Sequence, residues 1–170
     1  MTSLLNNKFL VIFFFPFLIG IITIFGFAPY NLTFVNFFTF SILLFLILEI
    51  KKRTQSKYRK KKSNRYFFYL GCSFGFGFFL FGNYWISISL THDDMFKGLI
   101  PFAIILIPLF LSLFFGLVTL LVGPFSEKKV FFILFFSFVF SIFEFIRGNL
   151  FTGFPWNLIS YTWVWSTDSI

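Results

Sequence analysis

Few residues in this 170-residue chain have side chains suited to chemistry, because only six are acidic, one is a histidine and one a cysteine. Glu144 and Arg147 stand three apart near the end of a long apolar run, so on a helix they share a face and can pair. An ionisable pair inside a membrane span marks a functional site by default, and it equally serves as a clamp for a helix end. The clamp is the reading preferred here. Shortly after comes Gly153-Phe154-Pro155-Trp156. Gly153 can take backbone angles other residues avoid, Phe154 is biased to extended backbone by the proline after it, and Trp156 suits the level of lipid headgroups. His92, Asp93 and Asp94 are adjacent metal-ligand types on a short polar stretch. An ordinary site also needs well-placed distant ligands, so this stretch is expected to be a solvated loop and no metal is expected. Cys72 has no second cysteine to pair with, lies in an apolar segment and lacks a nearby cation in sequence. It reads as a small packing residue. No catalytic residue is assigned.

The elements that must position these residues are apolar almost throughout. The chain is 58% hydrophobic, with a formal net charge of +8, and its mean hydropathy is +0.91. That excludes an ordinary soluble domain and defines a polytopic membrane protein. Thirty-five phenylalanines stand against two alanines, Ala28 and Ala103. Replacement of Ala and Gly by Phe, Ile, Lys and Asn fits a host with AT-rich DNA, and the excess is read that way before any aromatic function is invoked.

Five spans are expected, at about residues 9–27, 32–48, 66–90, 100–122 and 130–146. Phe9 to Phe27 is uncharged, long enough for a hydrocarbon layer of about 30 Å and longer than a signal-peptide core. A bend is expected there at Pro16, and another in the fourth span at Pro108. Phe27-Ala-Pro-Tyr-Asn31 is a tight link that makes the first two spans a hairpin. In the third span Gly71, Gly75 and Gly82 fall on one face, a device for close helix approach, and Asn83, Tyr84 and Trp85 form a polar and aromatic rim.

Between the second and third spans, residues 51–65 hold nine of the fourteen Lys and Arg residues and no acid. A basic run invites a nucleic-acid reading, but apolar spans flank it and leave no room for a separate fold, so no nucleic-acid partner is expected. The positive-inside rule accounts for it as a cytoplasmic loop, with attraction to anionic headgroups as a secondary effect. Lys8 and Lys128-Lys129 then fall on the same side, whereas Asp93 and Asp94 fall on the other. The amino end is therefore expected in the cytoplasm, and residues 147–170 form an interfacial segment outside. The fold class is an all-α integral membrane protein, a bundle of about five transmembrane helices.

Glu144-Phe-Ile-Arg147 followed by Thr152-Gly-Phe-Pro-Trp156 resembles the apolipoprotein N-acyltransferases of bacterial inner membranes. Phe27-Ala-Pro-Tyr30, Gly75-x-Gly77 and Gly82-x-x-Trp85 support the resemblance, in the family's order and over nearly the whole chain. It implies an enzyme that moves an acyl chain from a phospholipid onto a cysteine, and then to the amino group of a lipoprotein's lipid-modified amino-terminal cysteine. A thiolate nucleophile assisted by a glutamate and a lysine splits one hard transfer into two easier ones. In the family those groups belong to a nitrilase-like domain on the periplasmic face, which this sequence is expected to lack. Cys72 and Glu144 precede that domain and are not carried over as catalytic groups.

What the resemblance does carry over is Gly153, Phe154, Pro155 and Trp156, placed where lipid meets the active-site entrance. No cofactor is implied. The implied partners are a phospholipid acyl donor and a lipoprotein substrate. A separately encoded nitrilase-like domain would make a split enzyme, with the small-residue face of the third span as a packing surface. The reading from a different class is a stand-alone, non-enzymatic membrane protein such as a transporter subunit or scaffold. Against transport, the spans carry almost no ionisable residues apart from Glu144.

Overall fold

The apolar runs fold as helices in the computed structural model, which describes residues 7–54, 60–92, 94–127, 129–150 and 157–166. The first helix, α1 (Leu10–Gly26), starts as a π-helical stretch over Leu10–Phe14 and ends in a 3-10 turn over Ile24–Gly26. Pro16 stands two residues after the π stretch ends; it has no N–H to offer the preceding turn, which widens instead of keeping the regular ladder. Helix α2 (Phe34–Thr54) continues past its apolar run into the first basic residues, and α3 (Lys60–Gly82) begins within the same basic segment. Both therefore carry their cations on terminal turns.

Beyond α3 lie a short helix, α4 (Trp85–Ser89), a 3-10 stretch (Asp94–Leu99) and α5 (Ile100–Val122). Pro108 is buried within α5 and does not interrupt it. Helix α6 (Lys129–Asn149) and a 3-10 segment (Ile159–Ser166) complete the order, and no strand occurs among the described residues. Three helical stretches, Phe34–Thr54, Lys97–Phe125 and Val130–Asn149, are long and apolar enough to cross a membrane.

The bundle is apolar outside as well as in its core, with several polar side chains buried between its helices. On α6 the apolar side chains of Val130, Leu134, Phe138 and Phe145 face outward, while Thr23, Asn36, Ser112 and Thr119 are buried. Outward apolar stripes of this kind suit lipid and would be a liability in water. With lipid as solvent there is no hydrophobic drive between helices, so close packing and interhelical hydrogen bonds must hold the bundle together.

Helix α3 supplies both, and it sits between α1 and α5. A Cβ on Gly77 would strike the Phe17 backbone carbonyl, and one on Gly71 would strike Phe115 and Thr119. Across the same seams Ser73 Oγ donates to the Phe13 carbonyl at 2.6 Å, and Thr119 Oγ1 donates to that of Phe67 at 2.8 Å. The small-residue face expected to be open for a partner is thus filled from within the chain. Gly82 does not share its partners with Gly71 and Gly75: it meets Ile24 and Asn157, because the C-terminal segment reaches the last turn of α3.

Phenylalanine rings fill the remaining core. Phe115 of α5 lies 5.2 Å from Phe74 of α3 and 5.5 Å from Phe140 of α6, and Phe40 of α2 lies 5.3 Å from Phe140, all between ring centroids. Tilted and edge-on pairs at such distances are favourable beyond simple burial, by about 0.5–1.5 kcal/mol each. Whatever set the composition, the rings tie four helices together.

Candidate functional site

At the end of the bundle away from the basic segments, α6 delivers Glu144 and Arg147 to the interior from successive turns. The two side chains form an ion pair, and Arg147 is only 2% exposed. Its guanidinium also lies over the face of Phe79, 4.8 Å from the ring centroid. The second carboxylate oxygen, Glu144 Oε2, accepts the backbone N–H of Ile159 at 2.8 Å. Glu144 therefore joins α6 to the segment that follows it, as well as bonding within its own helix.

A second bond holds that segment from the opposite side. Thr33 Oγ1, just before α2, donates to the Thr162 carbonyl at 2.7 Å, and Thr162 is itself buried with its hydroxyl on the Ile159 carbonyl. The Trp163 ring stands edge-on to Phe37 with centroids 6.0 Å apart. Leu158 packs beside Gly148, and Asn157 takes a left-handed backbone angle (φ 40°) as the segment begins. Residues 157–166 are thus fastened to the start of α2 and the end of α6 together.

Between this strap, the α1–α2 link and the end of α3 lies an open cleft of about 830 Å³. Phe27, Pro29 and Tyr30 line one wall, Gly82 and Trp85 another, and Asn157 a third. Tyr30 and Trp85 are both exposed. The wall is mostly aromatic and apolar with a few polar tips, the usual make-up of a site for an amphipathic ligand. Volumes of this order accommodate drug-sized molecules or a length of acyl chain.

Four of the residues singled out from the sequence, Gly153, Phe154, Pro155 and Trp156, lie outside the described residues, as does Asp93. Their immediate successor, Asn157, is at the cleft. His92 is exposed, with Nδ1 3.3 Å from the Ile88 carbonyl, and Asp94 pairs with Lys97. Cys72 belongs to the α3–α5 seam, with its sulfur against Gly116. Asn83, expected in a polar and aromatic rim with Tyr84 and Trp85, is buried, and neither end of its amide has a hydrogen-bond partner among the described residues. Gly82, the last residue of α3, meets Ile24 and Asn157, and Asn83 directly after it lies inside. Asn36 on α2 is a second buried amide of the same kind, beside Gly26, and only its isolation in an apolar run hinted at it.

Fold and site together define an all-helical integral membrane protein, with a cleft at one end of the bundle overlain by a fastened C-terminal strap. The chain belongs to the apolipoprotein N-acyltransferase family: the family's N-terminal domain matches residues 19–170. Named relatives agree. The apolipoprotein N-acyltransferase of Brucella melitensis is 34% identical over 134 residues, covering 78% of this chain and 25% of that protein. Those of Rhizobium rhizogenes (32% over 145 residues) and Rickettsia typhi (34% over 151 residues) cover 85% and 88% of this chain, and 27% and 28% of their own lengths. The chain thus spans about a quarter of the length of the curated relatives it matches.

Proposed function

We propose that this chain is the membrane-embedded N-terminal portion of an apolipoprotein N-acyltransferase, and that the cleft beside the strap admits the lipid substrate. The observation that carries the reading is a convergence. Phe27-Ala-Pro-Tyr30, Gly82-x-x-Trp85 and the residues directly following Thr152-Gly-Phe-Pro-Trp156 are far apart in sequence, yet they meet at one cleft. In this reading Trp156, with Gly153, Phe154 and Pro155 forming its turn, lines the path of an acyl chain passing from phospholipid to the reacting thiol. The thiol, its glutamate and its lysine belong to a nitrilase-like region, on the same polypeptide or encoded apart. The lipid-modified amino-terminal cysteine of a lipoprotein is the acceptor.

The setting that fits is the bacterial inner membrane, with the basic end of the bundle in the cytoplasm and the cleft on the periplasmic side. Contacts support the grouping of charge: Lys51 reaches both Glu127, at 3.3 Å, and the Pro124 carbonyl, while Arg53 and Lys8 border one pocket nearby. The decisive experiment uses the protein together with its nitrilase-like region, assayed for acyl transfer from phospholipid to a diacylated lipopeptide. Trp156→Ala and Trp85→Ala should each slow transfer at least tenfold without lowering the amount of folded protein. Unchanged transfer in both variants would refute the cleft as the lipid path.

A further inference from the structure

The opposite end of the bundle holds a smaller, differently built pocket of about 140 Å³. Three helices form it. Lys8 enters at the start of α1, where the Phe9 N–H is held by Asn7 Oδ1 at 3.0 Å; Arg53 comes from the last turn of α2, and Tyr66 from α3. Val11, Ile12 and Ile50 make its floor, and all three are buried. Glu49 accepts the Arg53 Nε–H at 2.9 Å. That bond fixes the guanidinium, and its terminal nitrogens have no hydrogen-bond partner among the described residues. Lys8 has no acidic partner among the described residues.

Two cations and a phenol above an apolar floor, at the level where apolar helices meet their basic ends, match one ligand chemistry. A phosphodiester has oxygens for a guanidinium and an ammonium, and its glycerol and first methylenes need an apolar surface beneath. We propose that this pocket binds the phosphate headgroup of an anionic phospholipid in the leaflet at the basic end. The site is separate from the cleft and does not depend on the role proposed there. Free phosphate shares the oxygens but gains nothing from Val11, Ile12 and Ile50, so the apolar floor is what selects a lipid.

The test is native mass spectrometry of the full chain in detergent, offered phosphatidylglycerol or phosphatidylcholine. A headgroup contact by one Lys or Arg near a membrane surface is worth about a fivefold change in binding. Lys8→Gln and Arg53→Gln should each lower phosphatidylglycerol retention by about that factor. Lys52→Gln, on an exposed neighbouring position, should change it less than about twofold. An equal loss in Lys52→Gln would mean a diffuse basic field and overturn the site. So would displacement of the lipid by millimolar inorganic phosphate, which would make the pocket a site for the free anion. Should Arg53→Gln fail to fold, Lys8→Gln decides alone, since Lys8 is exposed; unchanged retention there overturns the proposal too.

Discussion

Replacing Glu144 by alanine should release the C-terminal strap and weaken the whole bundle at once. The change takes the Glu144 carboxylate away from Arg147, which is buried to 2% exposure. It also takes from the Ile159 N–H the acceptor it has at 2.8 Å. Removing one member of a buried pair costs about 3–5 kcal/mol, and a backbone bond to a charged acceptor contributes about 1.5–3 kcal/mol of such a loss. These are parts of one event and do not simply add, so a total of about 3–5 kcal/mol is expected for Glu144→Ala. The Phe79 ring under the guanidinium offsets at most about 1–2 kcal/mol of this.

Glu144→Gln keeps an oxygen for Ile159 and should cost only about half as much. Adding Arg147→Met to Glu144→Gln removes both charges and should recover about 1–2 kcal/mol, because no buried charge is then left without its Glu144 partner. The assay is equilibrium unfolding in mixed micelles, with hydrogen exchange read at the Ile159 amide. A Glu144→Ala protein that lost less than about 1 kcal/mol, with Ile159 still protected, would show that neither the pair nor the strap bond holds this end together.

Two further perturbations separate packing from fastening. Gly77→Ala drives a methyl into the Phe17 carbonyl across the α1–α3 seam and should cost about 1–3 kcal/mol in the same unfolding assay. Gly98→Ala meets nothing within 4 Å and should stay within about 0.5 kcal/mol of the parent. Thr33→Ala removes the hydroxyl that holds the Thr162 carbonyl, and should speed proteolytic cleavage within residues 157–166 while shifting global stability by only about 1 kcal/mol. Equal cleavage rates before and after the substitution would count against the strap's second anchor.

The membrane class was legible because the apolar runs are long and the cations cluster between them; composition alone carries that much. The i, i+3 relation of Glu144 and Arg147 was also open to reading, since it depends only on helix geometry. What could not be read is where each side chain goes once helices pack. Gly71, Gly75 and Gly82 lie close together on a helical wheel, but which neighbour covers each depends on the tertiary path, and Gly82 meets Asn157 rather than α5. Asn83 looked like rim because Tyr84 and Trp85 are amphipathic; nothing local signals that it ends buried. The bond from Thr33 to Thr162 joins residues 129 apart, a separation at which no periodicity carries information. The cleft has the same origin: its walls are sequence features readable one by one, whose meeting is a property of the fold.

The two anchors of the strap also set an order of assembly. Thr33 leaves the ribosome long before Thr162 and waits for it, while Glu144 waits only for Ile159, 15 residues on. Closing the long loop is entropically costly unless the intervening helices have already met, whereas the short one closes cheaply once α6 is in place. The local bond therefore forms first and holds Thr162 near its distant partner, and the long-range bond forms last. A nascent chain that has inserted α1 to α6 but mispacked α2 against α6 would leave this link unmade, exposing the segment to membrane proteases. The strap would then act as an inspection step in biogenesis, sealing only those bundles in which the start of α2 and the end of α6 have found each other.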